Sequence, residues 1–312
     1  MTNDTIPLTA KKGYVQQLTF AGCPSFMRRP FTQDLSGVDL AITGIPFDCA
    51  TTNRPGTRLG PRAVREQSTL QAHDAPYGWD SDPFMTRSIV DYGDCQFDHG
   101  RVGEVPAAIE KHIAGIINNG TTALSLGGDH YVTYPILKAH AAKYGPLALI
   151  QFDAHSDTWE DTSADRIDHG TMFRHAINDG VIVAEQSVQI GIRTSNEDTM
   201  GVNIIDAPQV HASKPVDIAE QIKSIVGNKP CYLTFDIDCL DPAYAPGTGT
   251  PVSGGLSSAQ AFDILRALKG SLSLTGMDVV EVSPPFDHAG ITAIAGAHVA
   301  VELICLWSSG SY

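Results

Sequence analysis

Two short acidic runs, Asp153-Ala154-His155-Ser156-Asp157 and Asp236-Ile237-Asp238, each close a stretch of apolar residues. In extended backbone, residues two apart point to the same side. That parity predicts one meeting point for Asp153, His155 and Asp157 and a second for Asp236 and Asp238. A buried strand has no packing reason to end in stacked carboxylates, because mutual repulsion and desolvation make such a cluster costly. Divalent metal ions remove the cost. The four carboxylates carry minus four, which two divalent ions balance, while His130 and His155 add donors without charge. Carboxylate and imidazole donors with no thiolate favour a fairly hard metal such as manganese over a structural zinc. Cys239 adjoins the second run but has the wrong parity to join it.

The length of 312 residues allows one large domain or two ordinary ones. A hydrophobic fraction of 42% with 18% charged residues describes a globular chain with a sizeable core. The formal charge of -14 argues against nucleic-acid binding and against adsorption to anionic membranes, both of which need clustered Lys and Arg. It is compatible with a cationic small molecule. The six cysteines are scattered without a CxxC pair and read as reduced core thiols of a cytoplasmic protein. The opening MTNDTIPLTAKKGY lacks the apolar core of a signal peptide. No apolar stretch is read as reaching the roughly 18–20 residues of a membrane span.

Strand-like runs at 39–45, 88–92, 123–126, 147–152, 187–192, 203–205, 231–235 and 274–280 alternate with helix signals. Most are short, apolar on both faces and bounded by Gly, Asp or Pro, as in a parallel sheet covered on both sides. Gly60-Pro61 opens a helix with proline in the first turn. Segments 106–118 and 215–226 have helical apolar stripes, and a further helix is read over 131–143, directly after His130. Ser257 and Gln260 form a capping box for a helix that Gly270 closes. A final buried helix covers 292–307. No linker, charge block or repeat interrupts this order, so a single α/β domain is expected over 36–312, with 1–35 an N-terminal extension of it. His130, Asp153, Asp236 and Glu281 all fall just past the carboxyl end of an expected strand, the edge where open parallel sheets bind ligands.

The chain resembles the ureohydrolase (arginase/agmatinase) family in Gly127-Gly128-Asp129-His130, in the run from Phe152 to Asp157, and in Phe235-Asp236-Ile237-Asp238-Cys239-Leu240-Asp241-Pro242. The segments Ala245-Pro246-Gly247-Thr248-Gly249-Thr250-Pro251 and Val280-Glu281-Val282-Ser283-Pro284-Pro285 resemble it too. The resemblance implies a three-layer α/β/α fold around a central, mainly parallel sheet, here of eight strands. It also implies two Mn2+ per subunit and hydrolysis of a guanidino group to urea. By that resemblance Asp153 and Asp236 bridge the ions, His130 and Asp157 complete one site, and His155 and Asp238 complete the other. His169, Glu281 and Asp157 form the implied catalytic group, with His169 moving a proton to the leaving amine and Glu281 holding the guanidinium. The family commonly assembles as trimers or hexamers, so a homo-oligomer is expected.

Guanidinium is resonance-stabilised and a poor electrophile, so its hydrolysis needs an activated water and an acid for the departing amine. Substrate tails are read by loops. The asparagine-containing stretch with which arginases contact an amino-acid head group is replaced here by residues 158–165, which contain no asparagine. The longer match is to bacterial agmatinase. Glu160, Asp161, Asp165 and Asp168 supply acidic groups suited to the ammonium tail of agmatine. The alternative is a guanidino-acid hydrolase acting on 4-guanidinobutyrate or 3-guanidinopropionate, with Arg54 a candidate cation for the carboxylate. A non-catalytic relative acting as a regulator is disfavoured because all six ligand positions are kept.

Overall fold

Eight strands form one sheet in the computed structural model, which describes residues 9–15, 17–161, 163 and 165–310. They are β1 (Leu40–Ile45), β2 (Ile89–Asp94), β3 (Thr122–Gly127), β4 (Ala148–Phe152), β5 (Val188–Ile192), β6 (Asn203–Asp206), β7 (Pro230–Asp236) and β8 (Ser273–Val280). The order across the sheet is β2-β1-β3-β8-β7-β4-β5-β6, and every pairing is parallel. All eight match runs expected from the sequence. Such strands bury both faces, so alternate residues enter two cores. Leu40, Ile42, Leu124, Leu126, Ile150 and Phe152 face one, while Ala41, Ile45, Ala123 and Leu149 face the other.

Helices cover both faces: α1 (Gly60–Ser68), α2 (Pro83–Thr86), α3 (Val105–Ile117), α4 (Thr133–Tyr144), α5 (Met172–Asn178), α6 (Ala207–Ala212), α7 (Pro215–Val226), α8 (Ser258–Ala267) and α9 (Ile291–Ser309). Residues of α1, α7, α8 and α9 complete the first core, and those of α3, α4 and α5 the second. The result is three layers, α/β/α. The capping box of α8 is present, with Ser257 accepting from Gln260 N and Gln260 accepting from Ser257 N. Helices α2, α5 and α6, four to seven residues long, were not expected from the sequence. A single turn leaves too few positions for a periodic stripe, and α2 and α6 are marked only by an aspartate cap followed by proline.

Three expectations need correction. Helix α9 is, against expectation, long and apolar enough to cross a membrane by length and composition, because its 19 residues tolerate the one charge of Glu302. In the fold it is a core helix, buried against α1, α8 and the sheet. Cys23 and Cys49 are exposed and only Cys95, Cys231, Cys239 and Cys305 are core thiols, because the first two sit in loops that no helix covers. Helix α8 ends at Ala267, and Gly270 makes its left-handed turn (φ 68°) two residues beyond the cap. Residues 1–8 of the expected N-terminal extension lie outside the described residues. Its later part packs on the sheet and on α1: Phe26 N donates to Asp91 Oδ2 and Met27 N to Ser68 Oγ.

The strand order places the site. The chain lays down β1 to β3 on one side and β4 to β6 on the other, and β7 and β8 later fill the gap. Strands β3, β8, β7 and β4 are therefore adjacent at the centre, and their carboxyl ends carry His130, Glu281, Asp236 and Asp153. Gly128 makes this convergence possible. A Cβ there would lie 1.7 Å from Phe47 O, so only glycine lets the turn after β3 close onto the end of β1.

A buried ion pair ties α1 to the sheet edge. Arg65 Nε donates to Asp91 Oδ2 (2.8 Å) and Nη1 to Asp94 Oδ1 (2.6 Å), with the Arg65 and Asp91 side chains 7% and 0% exposed. Replacing Arg65 by Ala strands the Asp91 carboxylate, and losing one partner of such a pair costs about 3–5 kcal/mol. Chemical denaturation of Arg65→Ala should show a loss of that size, whereas an unchanged midpoint would remove the pair from the fold's supports.

Candidate metal centre and active site

The first acidic run does not continue its strand. β4 stops at Phe152, and Asp157 has left-handed backbone (φ 54°). Asp236 is the last residue of β7, and Asp238 lies in the 3-10 turn that follows. The expectation that strand parity gathers each run at its own point is therefore wrong. The turn is made by side chains: His155 N donates to Asp153 Oδ1 at 2.6 Å, and Asp238 N to Asp236 Oδ1 at 2.8 Å. Once the backbone curls, the two runs mix.

His130 Nδ1 lies 2.9 Å from Asp157 Oδ2, 3.0 Å from Asp153 Oδ2 and 3.2 Å from Asp236 Oδ2. His155 Nδ1 lies 3.0 Å from Asp238 Oδ2 and 3.5 Å from Asp153 Oδ1. Two ligand groups emerge, His130-Asp153-Asp157 and Asp153-His155-Asp238, and Asp153 belongs to both through opposite oxygens. Cys239 is turned away, its thiol against Ile190 O of β5.

The donor set fits divalent cations. His130 Nε2 is 2.9 Å from Thr234 Oγ1, whose hydroxyl donates to Asp278 Oδ1 at 2.6 Å. The Thr234 proton is thereby committed, so Nε2 must be the donor, and a neutral His130 presents the lone pair of Nδ1 to the carboxylates. That nitrogen is buried and has no hydrogen-bond partner. A lone pair facing three carboxylate oxygens is tolerable only with positive charge between them. Protonation equilibria register the same demand. Burial lowers the pKa of His155, but Asp238 and Asp153 overcome it and push it up to about 12. Burial and the charge of Asp153 raise Asp157 to about 6.

Beside the ligands, His169 Nδ1 and His130 N both bond to Glu281 Oε1, each at 2.9 Å. His169 Nε2 accepts from Thr52 N at 3.1 Å and lies 3.1 Å from Thr52 Oγ1. With Thr52 N–H donating to Nε2, the proton of the neutral ring sits on Nδ1, toward Glu281. Burial lowers the pKa of His169, but the hydrogen bond and charge of Glu281 raise it more, to about 9. The ring thus holds its proton readily beside Glu281. Glu281 has left-handed backbone (φ 63°), and its other oxygen, Oε2, is buried without a partner. Two non-glycine residues of one site in this region store strain, at about 1–3 kcal/mol each.

A cavity of about 390 Å³ opens over this cluster. Asp157, Asp236 and His155 lie at its base, His169, Asp168, Thr52 and Thr250 on its wall, and Trp159, Glu160 and Arg166 toward solvent. Of the four acidic residues expected at the tail, Glu160 and Asp168 reach it. Asp161 instead bonds His175 Nε2 at 3.0 Å, and Asp165 bonds Ser163 Oγ at 3.0 Å. Thr162 and Ala164 of that loop lie outside the described residues. Arg54 stacks over Phe286 at 5.3 Å and is not among the lining residues. Sequence reasoning missed Thr52, Trp159, Arg166, Thr234 and Asp278. The buried carboxylate of Asp278 inside an apolar strand was the one available signal.

Asp153→Asn removes the shared carboxylate from both ligand groups. After manganese loading and dialysis, this variant should retain fewer ions per chain than the parent by elemental analysis. Retention of two equivalents would end the reading of Asp153 as the ligand common to both groups.

The sequence model of the arginase family matches residues 38–305. An agmatinase from Chromobacterium violaceum is 53% identical over 289 residues, 92% of this chain and 89% of that protein. An agmatinase from Proteus mirabilis is 48% identical over 90% of this chain and 92% of its own length. Among solved structures, a hypothetical agmatinase from Burkholderia thailandensis is similar with a TM-score of 0.95 at 54% identity, covering 97% of this chain and 96% of that one. Proclavaminate amidino hydrolase from Streptomyces clavuligerus is similar with a TM-score of 0.88 at 36% identity, over 94% and 99% of the two chains.

Proposed function

The chain belongs to the arginase family, and from that premise we propose that it is a ureohydrolase cleaving agmatine to putrescine and urea with two manganese ions as cofactor. The observation that carries the reading is the unpartnered, buried Glu281 Oε2 beside His169 and the carboxylate cluster. A buried carboxylate oxygen needs a cationic donor, and a guanidinium offers planar, paired N–H groups that match a carboxylate. The names of the most similar relatives support agmatine in particular.

When bound, two divalent ions would supply Lewis acidity and lower the pKa of water from about 15.7 towards about 7. His130, Asp153, Asp157, Asp236, His155 and Asp238 would hold them. Glu281 fixes the guanidinium plane over the cluster, its own orientation set by His130 N–H and His169. His169, its ring protonated beside Glu281, delivers a proton to the departing amine nitrogen, which leaves as a neutral group rather than an amide anion. His169→Ala should lower turnover by about 10²–10⁴-fold, the range of general acid–base catalysis, with manganese content near that of the parent. Loss of manganese in that variant would reassign His169 as a ligand.

The tail reading rests on charge at the cavity mouth. Asp168 is already satisfied: Oδ2 accepts from Arg166 Nη2 at 2.8 Å and Oδ1 from Gly170 N at 2.8 Å. Glu160 is the lining carboxylate that remains available to an ammonium tail, with the Trp159 ring beside it. Cation–aromatic contact adds to such binding. The second reading, a guanidino-acid substrate, is favoured by Arg166, a cation at the cavity mouth, though its pairing with Asp168 offsets that charge. Urea release should be measured with agmatine, 4-guanidinobutyrate, 3-guanidinopropionate and arginine side by side. Agmatine is expected to be the best substrate, and preference for 4-guanidinobutyrate would overturn the assignment. An exposed ion pair contributes about 0.2–1 kcal/mol. Glu160→Gln should therefore raise the KM for agmatine by up to about fivefold and leave kcat nearly unchanged.

A further inference from the structure

Gln151 on β4 and Gln189 on β5 are register partners, both with no exposed surface, and neither takes part in the chemistry above. Gln151 Nε2 donates to Asp153 Oδ2 at 2.8 Å and to His155 O at 3.1 Å. Its Oε1 accepts from Gln189 Nε2 at 2.7 Å, and that same Nε2 donates to Ser156 O at 2.6 Å. The amide orientations are forced. Each Nε2 faces two acceptor oxygens, so turning either amide over would set oxygen against oxygen. The chain ends on Gln189 Oε1, which is buried without a partner. An unpaired oxygen is kept at the far end so that both donors point at the acidic run.

The run from Asp153 to Asp157 has left the strand ladder, and its carbonyls need donors from elsewhere. The two amides supply them at His155 and Ser156 and also reach the carboxylate common to both ligand groups. Asp153 Oδ1 receives His155 N–H and Oδ2 receives Gln151 N–H. Each oxygen keeps a lone pair free, one toward His155 and one toward His130. We propose that the Gln189–Gln151 amide chain is the positioning device that holds Asp153 in its bridging orientation, and so makes the two ions bind as a coupled pair rather than as one tight ion and one loose one. The inference rests on the two-ion reading and adds two positioning residues to it. Neither glutamine is itself a ligand.

The test uses Gln151→Met and Gln189→Met in the full chain, with folding checked by circular dichroism and thermal melting. Manganese titration is followed by calorimetry and by electron paramagnetic resonance, which distinguishes an exchange-coupled Mn(II) pair from isolated ions. The parent should bind two ions and show the coupled signal. If it does not, the two-ion reading fails and the amides are not at issue. With the parent coupled, each variant should bind the second ion about 10–100-fold more weakly, the usual cost of losing a hydrogen-bond partner of a ligand. Its spectrum at two equivalents should shift toward that of isolated ions. Gln189→Met touches no ligand side chain, so its effect must pass through the orientation of Gln151 and through Ser156 O, the backbone between His155 and Asp157. It decides the matter if Gln151→Met does not fold, and Gln189→Leu replaces it if it too fails. Unchanged affinity and coupling, or equal weakening of both ions, would overturn the proposal.

Discussion

Repulsion among buried carboxylates at the carboxyl edge of the sheet is the constraint on which the site depends. Four aspartates and Glu281 stand within one region with little access to water, and no Lys or Arg side chain is paired with any of them among the described residues. Positive charge must come from imidazoles and from ions. The strand order makes the crowding possible, because β3, β8, β7 and β4 end side by side. Binding of cations would relieve the repulsion and convert that destabilising energy into affinity, which is why a site of this kind couples metal loading to stability.

Around the ligands lies a polar layer that fixes their orientation. Asp278 and Thr234 set the tautomer of His130. Arg193 donates to the carbonyls of Asp238, Leu240 and Val252 and so holds the turn after β7. Gln151 and Gln189 serve the turn after β4. Asp278, Thr234, Gln151 and Gln189 come from neighbouring strands, so the rigidity of the sheet is transmitted to the candidate ligands. The positive φ values of Asp157 and Glu281 survive because this packing over-determines them.

The tail end of the cavity is built differently. Glu160, Arg166 and Trp159 belong to the loop between β4 and α5, whose side chains are partly solvated. Charges there act through water and contribute modestly. The exposed side chains of this loop stand between its two ends, the run from Asp153 to Asp157 and His169, which are buried in the cluster.

The sequence by itself determined the eight strands and the main helices, and it singled out the acidic and imidazole residues that gather at one edge of the sheet, because buried parallel strands write uninterrupted apolar runs and the acidic residues that end them stand out against that background. It placed Glu281 and His169 by resemblance. It did not determine how the two acidic runs divide their donors, since strand parity fails once Asp157 turns into left-handed backbone. Nor did it separate Glu160 and Asp168, which reach the cavity, from Asp161 and Asp165, which bond elsewhere. Thr52 approaches His169, and Gln189 approaches Gln151, across long stretches of chain with no local pattern to mark them. Those partnerships were decided only by tertiary structure, because a hydrogen bond between distant segments depends on where the strand order brings them, and a local pattern of residues carries no record of that distance.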